Sequence, residues 1–91
     1  MIVDEIKKAN LQAMKDKDTV ARSIYSVILN KIMLEGIKKR EKGEEIVDAD
    51  VVQILQKSVK ELEEERENYL KVNNLEEAEN SKRQIELVKS Y

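Results

Sequence analysis

The sequence predicts an all-α domain of four helices, with a central apolar second helix and a C-terminal helical hairpin. Three observations lead there. Proline is absent and only Gly36 and Gly43 occur in 91 residues, so almost nothing interrupts helix along the chain. Apolar residues recur at steps of three and four, the period of a helix face. The only aromatic side chains are three tyrosines, so burial must come from aliphatic residues spread along helices, which favours an elongated bundle. The length, 91 residues, suits one domain, 1–91, that buries roughly 60% of its unfolded surface.

The first helix is predicted from about Val3 to Lys15, with Ile2, Ile6, Ala9 and Ala13 on one face. Asp16, Lys17 and Asp18 break it. Asp18 is an N-cap for the next helix, because its carboxylate can accept from free N–H groups and its charge suits that end of the helix dipole. The second helix runs from Thr19 to about Arg40. Val20, Ala21, Ile24, Tyr25, Val27, Ile28, Leu29, Ile32, Met33, Leu34 and Ile37 make it apolar around most of its circumference, the pattern of a helix contacted from several sides.

Lys38 to Glu45 reads as an exposed connection containing Gly43. A third helix begins with Asp48 as its N-cap, and Val52, Leu55, Val59, Leu62, Arg66 and Tyr69 form a seam of about two and a half heptads. A dimeric coiled coil normally needs three or more, so the seam is expected to pack within the chain, against the second helix. Asn73 and Asn74 end it, because Asn tolerates the left-handed conformation at a C-cap and can also cap the helix that follows. Glu77, three residues after Asn74, resembles a capping box. The fourth helix runs to about Lys89, with Leu75, Ala78, Ile85 and Val88 inward, and forms a hairpin with the third.

Composition narrows function. Lys and Arg number 17 against 19 Asp and Glu, for a net charge of -2, whereas a dedicated nucleic-acid binder usually carries a basic excess. Any RNA contact must therefore be local. There is no Cys, which removes disulfides, thiolate metal sites and a Cys nucleophile. No segment approaches the ~20 apolar residues of a membrane span, and the N-terminus lacks an apolar signal core. No membrane role and a cytoplasmic location are expected.

His is absent as well, which removes the commonest general base and metal ligand. Neither glycine sits in a phosphate-cradling turn. No catalytic, cofactor or metal site is therefore expected. Glu61, Glu63, Glu64, Glu65 and Glu67 crowd one stretch, but with Lys60, Arg66 and Lys71 nearby they read as solvated ion pairs. The basic run Lys38, Lys39, Arg40 and Lys42, with Lys31, is interleaved by Glu41, Glu44 and Glu45 and reads mainly as a solvated loop. Lys57 and Lys60 lie one turn apart on the third helix, and Lys82 and Arg83 on the fourth could lie across from them. Those four are the candidate contacts for RNA or a partner, with charge pairing to neighbouring Glu as the alternative use. Leu11, Leu70, Val72 and Leu87 are candidate apolar surface for a protein partner.

The segments MKDKDTVA, VDADVVQILQKSVKELEEE and KRQIELVKSY resemble the N-terminal helical domain of the GatB/YqeY family, small proteins related to the tail of the B subunit of glutamine-dependent tRNA amidotransferase. Met14, Lys15, Lys17 and Asp18 match its first turn. Asp48, Val51, Leu55, Gln56, Lys57, Val59 and Lys60 match its acidic cap and QKxxK helix, and Lys82, Ile85 and Tyr91 match the closing hairpin. The family often has Arg at the positions of Ser26, Leu62 and Asn74, Gly at Asn73, and Glu at Ser81 and Gln84. The resemblance implies a non-catalytic accessory module linked to carbon–nitrogen ligase chemistry with glutamine as amide donor. It further implies contact with tRNA or a tRNA-linked enzyme, and a second, smaller helical domain following Tyr91.

Overall fold

The computed structural model describes residues 1–91 as four helices, α1 (Ile2–Lys15), α2 (Thr19–Glu41), α3 (Asp48–Lys71) and α4 (Leu75–Lys89). They form two hairpins. α3 packs most extensively on α4 and α1 on α2, and α2 and α3 each touch all three others. The resulting body measures 47 × 29 × 18 Å, elongated as the aliphatic composition implies.

Ile6, Ile28, Val51 and Val88, one from each helix, are the largest side chains sealed completely from solvent. Around them Ala13, Ala21, Ile24, Tyr25, Ile32, Leu55 and Leu62 complete one continuous cluster. Tyr91, the last residue, closes against it: its ring meets Tyr25 edge-on with centroids 6.5 Å apart. Burial foremost, then the Tyr25 hydroxyl, pushes the Tyr91 phenol up to about 12.

Helix ends follow local chemistry. Asp18 accepts from the Ala21 N–H at 3.2 Å and caps α2. Asn74 accepts from the Glu77 N–H at 3.3 Å and caps α4. Only this half of the expected box forms, since the Glu77 carboxylate accepts from the Asn80 amide instead. Asn73 adopts φ 60°, and the Asn74 N–H reaches back to the Tyr69 carbonyl at 2.8 Å. A short-chain amide tolerates the left-handed region that this tight turn requires.

The structure corrects five details. Asp48 is not the cap of α3: Val47 occupies that position, the Asp50 carboxylate accepts from its N–H at 3.0 Å, and Asp48 accepts from the Ile2 N–H at 3.3 Å. Lys38–Glu41 continue α2, and the connection is only residues 42–47. There the chain reverses through Gly43 at φ +75°. The α3 seam faces mainly α4, because the tight turn at Asn73 and Asn74 forces these helices side by side. It keeps Leu55 and Leu62 as expected, but Val51 and Ser58 are buried in place of Val52, which is exposed, and Val59, which is half-buried. Leu75 points outward, 61% exposed, since Ala78, Ser81 and Val88 take the inward face of α4. Lastly, α2 is central but not covered all round: Val27, Met33, Leu34 and Ile37 remain exposed.

Candidate functional site

A cleft of about 390 Å³ separates the C-terminal half of α2 from the N-terminal half of α3. It exists because α3 commits its inward face chiefly to α4 and leans only lightly on α2. Leu34 and Ile54 supply its apolar lining, and Lys31, Lys38, Lys57, Glu35, Asp50 and Glu61 its charged surround.

Three of these six charges, Lys31, Asp50 and Glu61, hold the helices together. The Lys31 ammonium donates to Glu61 at 2.8 Å across the cleft, and that bond is the main reason the Glu61 carboxyl lies below its ordinary range. Lys39 lies 3.3 Å from Asp50 and 3.5 Å from Glu44. The Val47 N–H first, and Lys39 beyond it, lower the Asp50 carboxyl, while Asp50 raises the Lys39 ammonium. The three charges bind the α2 end to the α3 start.

Lys38 and Lys57 differ from their neighbours. Both line the cleft, one from each wall, and neither enters an ion pair. An open cleft with two uncommitted ammonium groups can hold an anion or a polar surface.

The four cations singled out in the sequence are distributed unequally. Lys57 and Lys60 are exposed on α3, and Lys82 is exposed on α4, all outside ion pairs. Arg83 instead makes a two-pronged ion pair with Asp18, 65 positions away. That places it at the N-terminus of α2, whereas Lys57 lies opposite Lys31, 13 residues or about 20 Å further along that helix. The structure thus joins Lys57 with Lys38 rather than with Arg83. Nothing in the local spacing signals that pairing, which depends on how α2 and α3 cross.

Among the apolar candidates, Leu11, Leu70 and Val72 are exposed, while Leu87 packs against the core. Met33, Leu34 and Ile37 form an exposed run where the apolar pattern of α2 predicts burial. The signal lies in the circumference of α2, too apolar for a helix with three modest partners.

No helix is long and apolar enough to cross a membrane. A family model described as Yqey-like protein matches residues 3–91. No curated protein and no solved structure matches the chain.

Proposed function

Since the chain belongs to the YqeY-like family, a small helical module, we propose that it is a non-catalytic binding module that contacts tRNA in the setting of glutamine-dependent amide transfer. The observation that carries this reading is the set of exposed, unpaired ammonium groups at Lys57, Lys60 and Lys82, with Lys38 beside Lys57 in the cleft. Lysines without a carboxylate partner are free to displace counterions from a phosphate backbone. The resemblance to the amidotransferase tail supplies the RNA class. The absence of His and Cys supports assigning amide transfer itself to other domains, since a glutaminase needs an activated nucleophile.

Fluorescence anisotropy with labelled tRNA at about 50 mM salt tests the reading, because electrostatic attraction is strongest at low salt. Replacing Lys57, Lys60 and Lys82 with Ala is expected to lower affinity and to flatten the salt dependence, by about one unit of slope for each phosphate that is no longer neutralised. Arg83→Ala is expected to leave affinity nearly unchanged, because Asp18 already holds that guanidinium. Undetectable binding at about 50 mM salt defeats the proposal.

A second reading, a protein-interaction module, is favoured by the exposed Met33, Leu34 and Ile37 on α2. Apolar side chains grouped at helical spacing are the usual footprint of a partner.

A further inference from the structure

We propose that this chain binds a second copy of itself, the α3–α4 turn of one copy seating on the C-terminal half of α2 of the other.

Among the exposed apolar side chains, two groups stand in charged surroundings of opposite sign. On α2, Met33 is 54% exposed and Leu34 51%, with Ile37 one turn on, so the three form a continuous strip. Residues 31–42 carry five basic side chains against two acidic. Lys31 and Lys39 are bound by carboxylates; of the groups outside any ion pair, Lys38, Arg40 and Lys42 outnumber Glu35 and Glu41 by one.

At the α3–α4 turn, Leu70, Val72 and Leu75 are all exposed, Val72 at 72%. The backbone of the turn is closed by the Asn74 N–H on the Tyr69 carbonyl. Residues 63–79 carry seven acidic side chains against two basic. Of the seven, only Glu63 enters an ion pair, with Lys89 at 4.0 Å.

These patches cannot meet within one molecule. The Lys39–Asp50 pair ties the end of α2 to the start of α3, and the turn lies at the other end of α3, a helix of 24 residues and therefore about 36 Å long. Like patches repel: two acidic turns oppose each other, as do two basic α2 ends. An acidic apolar turn on a basic apolar strip satisfies both charge and burial. The contact joins unlike patches: made twice about a two-fold axis it closes an antiparallel pair, and made once per copy it extends as a chain.

Sedimentation velocity on the purified, nucleic-acid-free chain tests this between roughly 10 μM and 1 mM, spanning weak specific affinities. The sedimentation coefficient is expected to rise with concentration at about 50 mM salt and to rise less at about 500 mM, where charge attraction is screened. Leu34→Glu adds an acid to the basic strip, and Leu75→Lys adds a base to the acidic turn. Each variant alone is expected to stay monomeric, because every contact needs one strip and one turn. Mixed one to one, they restore association, since the first keeps its turn and the second its strip. Both positions are exposed, and circular dichroism verifies that helix content is unchanged. A wild-type monomer at about 1 mM, association that persists in either single variant, or a mixture that stays monomeric overturns the proposal.

Discussion

The Asp18 carboxylate serves two helices at once: it accepts from the Ala21 N–H at the start of α2 and from both terminal nitrogens of Arg83 on α4. Beside it, the Gln84 amide donates to the Val20 carbonyl at 3.0 Å. The first turn of α2 is thus anchored to a helix more than sixty residues away in sequence, and α4 gains its only polar ties to α2.

Removing Asp18 is expected to cost more than removing its partner. Asp18→Ala removes the helix cap as well as the pair, about 1–2 kcal/mol. Arg83→Ala removes a largely solvated ion pair, less than about 1 kcal/mol. Urea denaturation of both variants and the double variant checks this, and additive effects would show that the two side chains do not interact.

The same carboxylate gives stability a defined acid dependence. Arg83 foremost, with help from the Ala21 N–H, lowers Asp18 from 3.8 to about 2. A depressed folded-state value means that its contribution is complete above 3.8 and disappears as pH falls towards 2. The stability difference between wild type and Asp18→Asn is therefore expected to shrink across that interval and to stay constant above it. A difference that does not change between pH 4 and pH 2 contradicts the assignment.

Ile28 and Met33 lie on the same helix, with opposite consequences for truncation. Ile28 is 1% exposed at the meeting point of the core, so Ile28→Ala should cost about 2–5 kcal/mol. Met33→Ala should change monomer stability by less than about 0.5 kcal/mol. Thermal melts of dilute protein distinguish them.

α3 and α4 meet through small residues: Ser58, Ala78 and Ser81 are all buried, and the Ser58 hydroxyl donates to the Ile54 carbonyl at 2.8 Å within its own helix. A side chain larger by several carbons has no room there. Ser81→Leu is expected to destabilise by about 1–3 kcal/mol through overpacking, read by urea titration.

Gly43 requires its lack of a side chain for backbone reasons alone. No atom lies within 4 Å of where a Cβ would stand, yet its φ is +75°. Gly43→Ala is therefore expected to cost about 1–2 kcal/mol, and Gly36→Ala, inside α2 with equally open space, to add up to about 1 kcal/mol of stability. Opposite shifts in melting temperature are the signature.

Four helices are legible in the sequence because their determinants are local. The Asp18 and Asn74 caps, the left-handed Asn73 and the apolar stripe of α1 act within a few residues, and helix geometry converts their spacing directly into structure. Hydrophobic content identifies α2 as a central helix, in contact with every other. It cannot state which part of an all-round apolar helix stays bare, because that depends on the number and lengths of its neighbours.

The placement of charges is decided by tertiary structure. Lys31 and Glu61, Lys39 and Asp50, Arg83 and Asp18 are pairs whose members approach only after the hairpins have packed, and no periodicity within one helix encodes them. The same holds for the edge of the α3 seam, where Leu55 and Leu62 are buried as their spacing implies but Val51 and Ser58 take the places of Val52 and Val59. Sequence alone thus determined that this protein is a helical bundle with no His or Cys to drive catalysis, since helix caps and residue chemistry are properties of neighbours along the chain. Tertiary structure decided which cations are bound and which are free, because ion pairing falls off within a few ångströms and only the fold sets those distances.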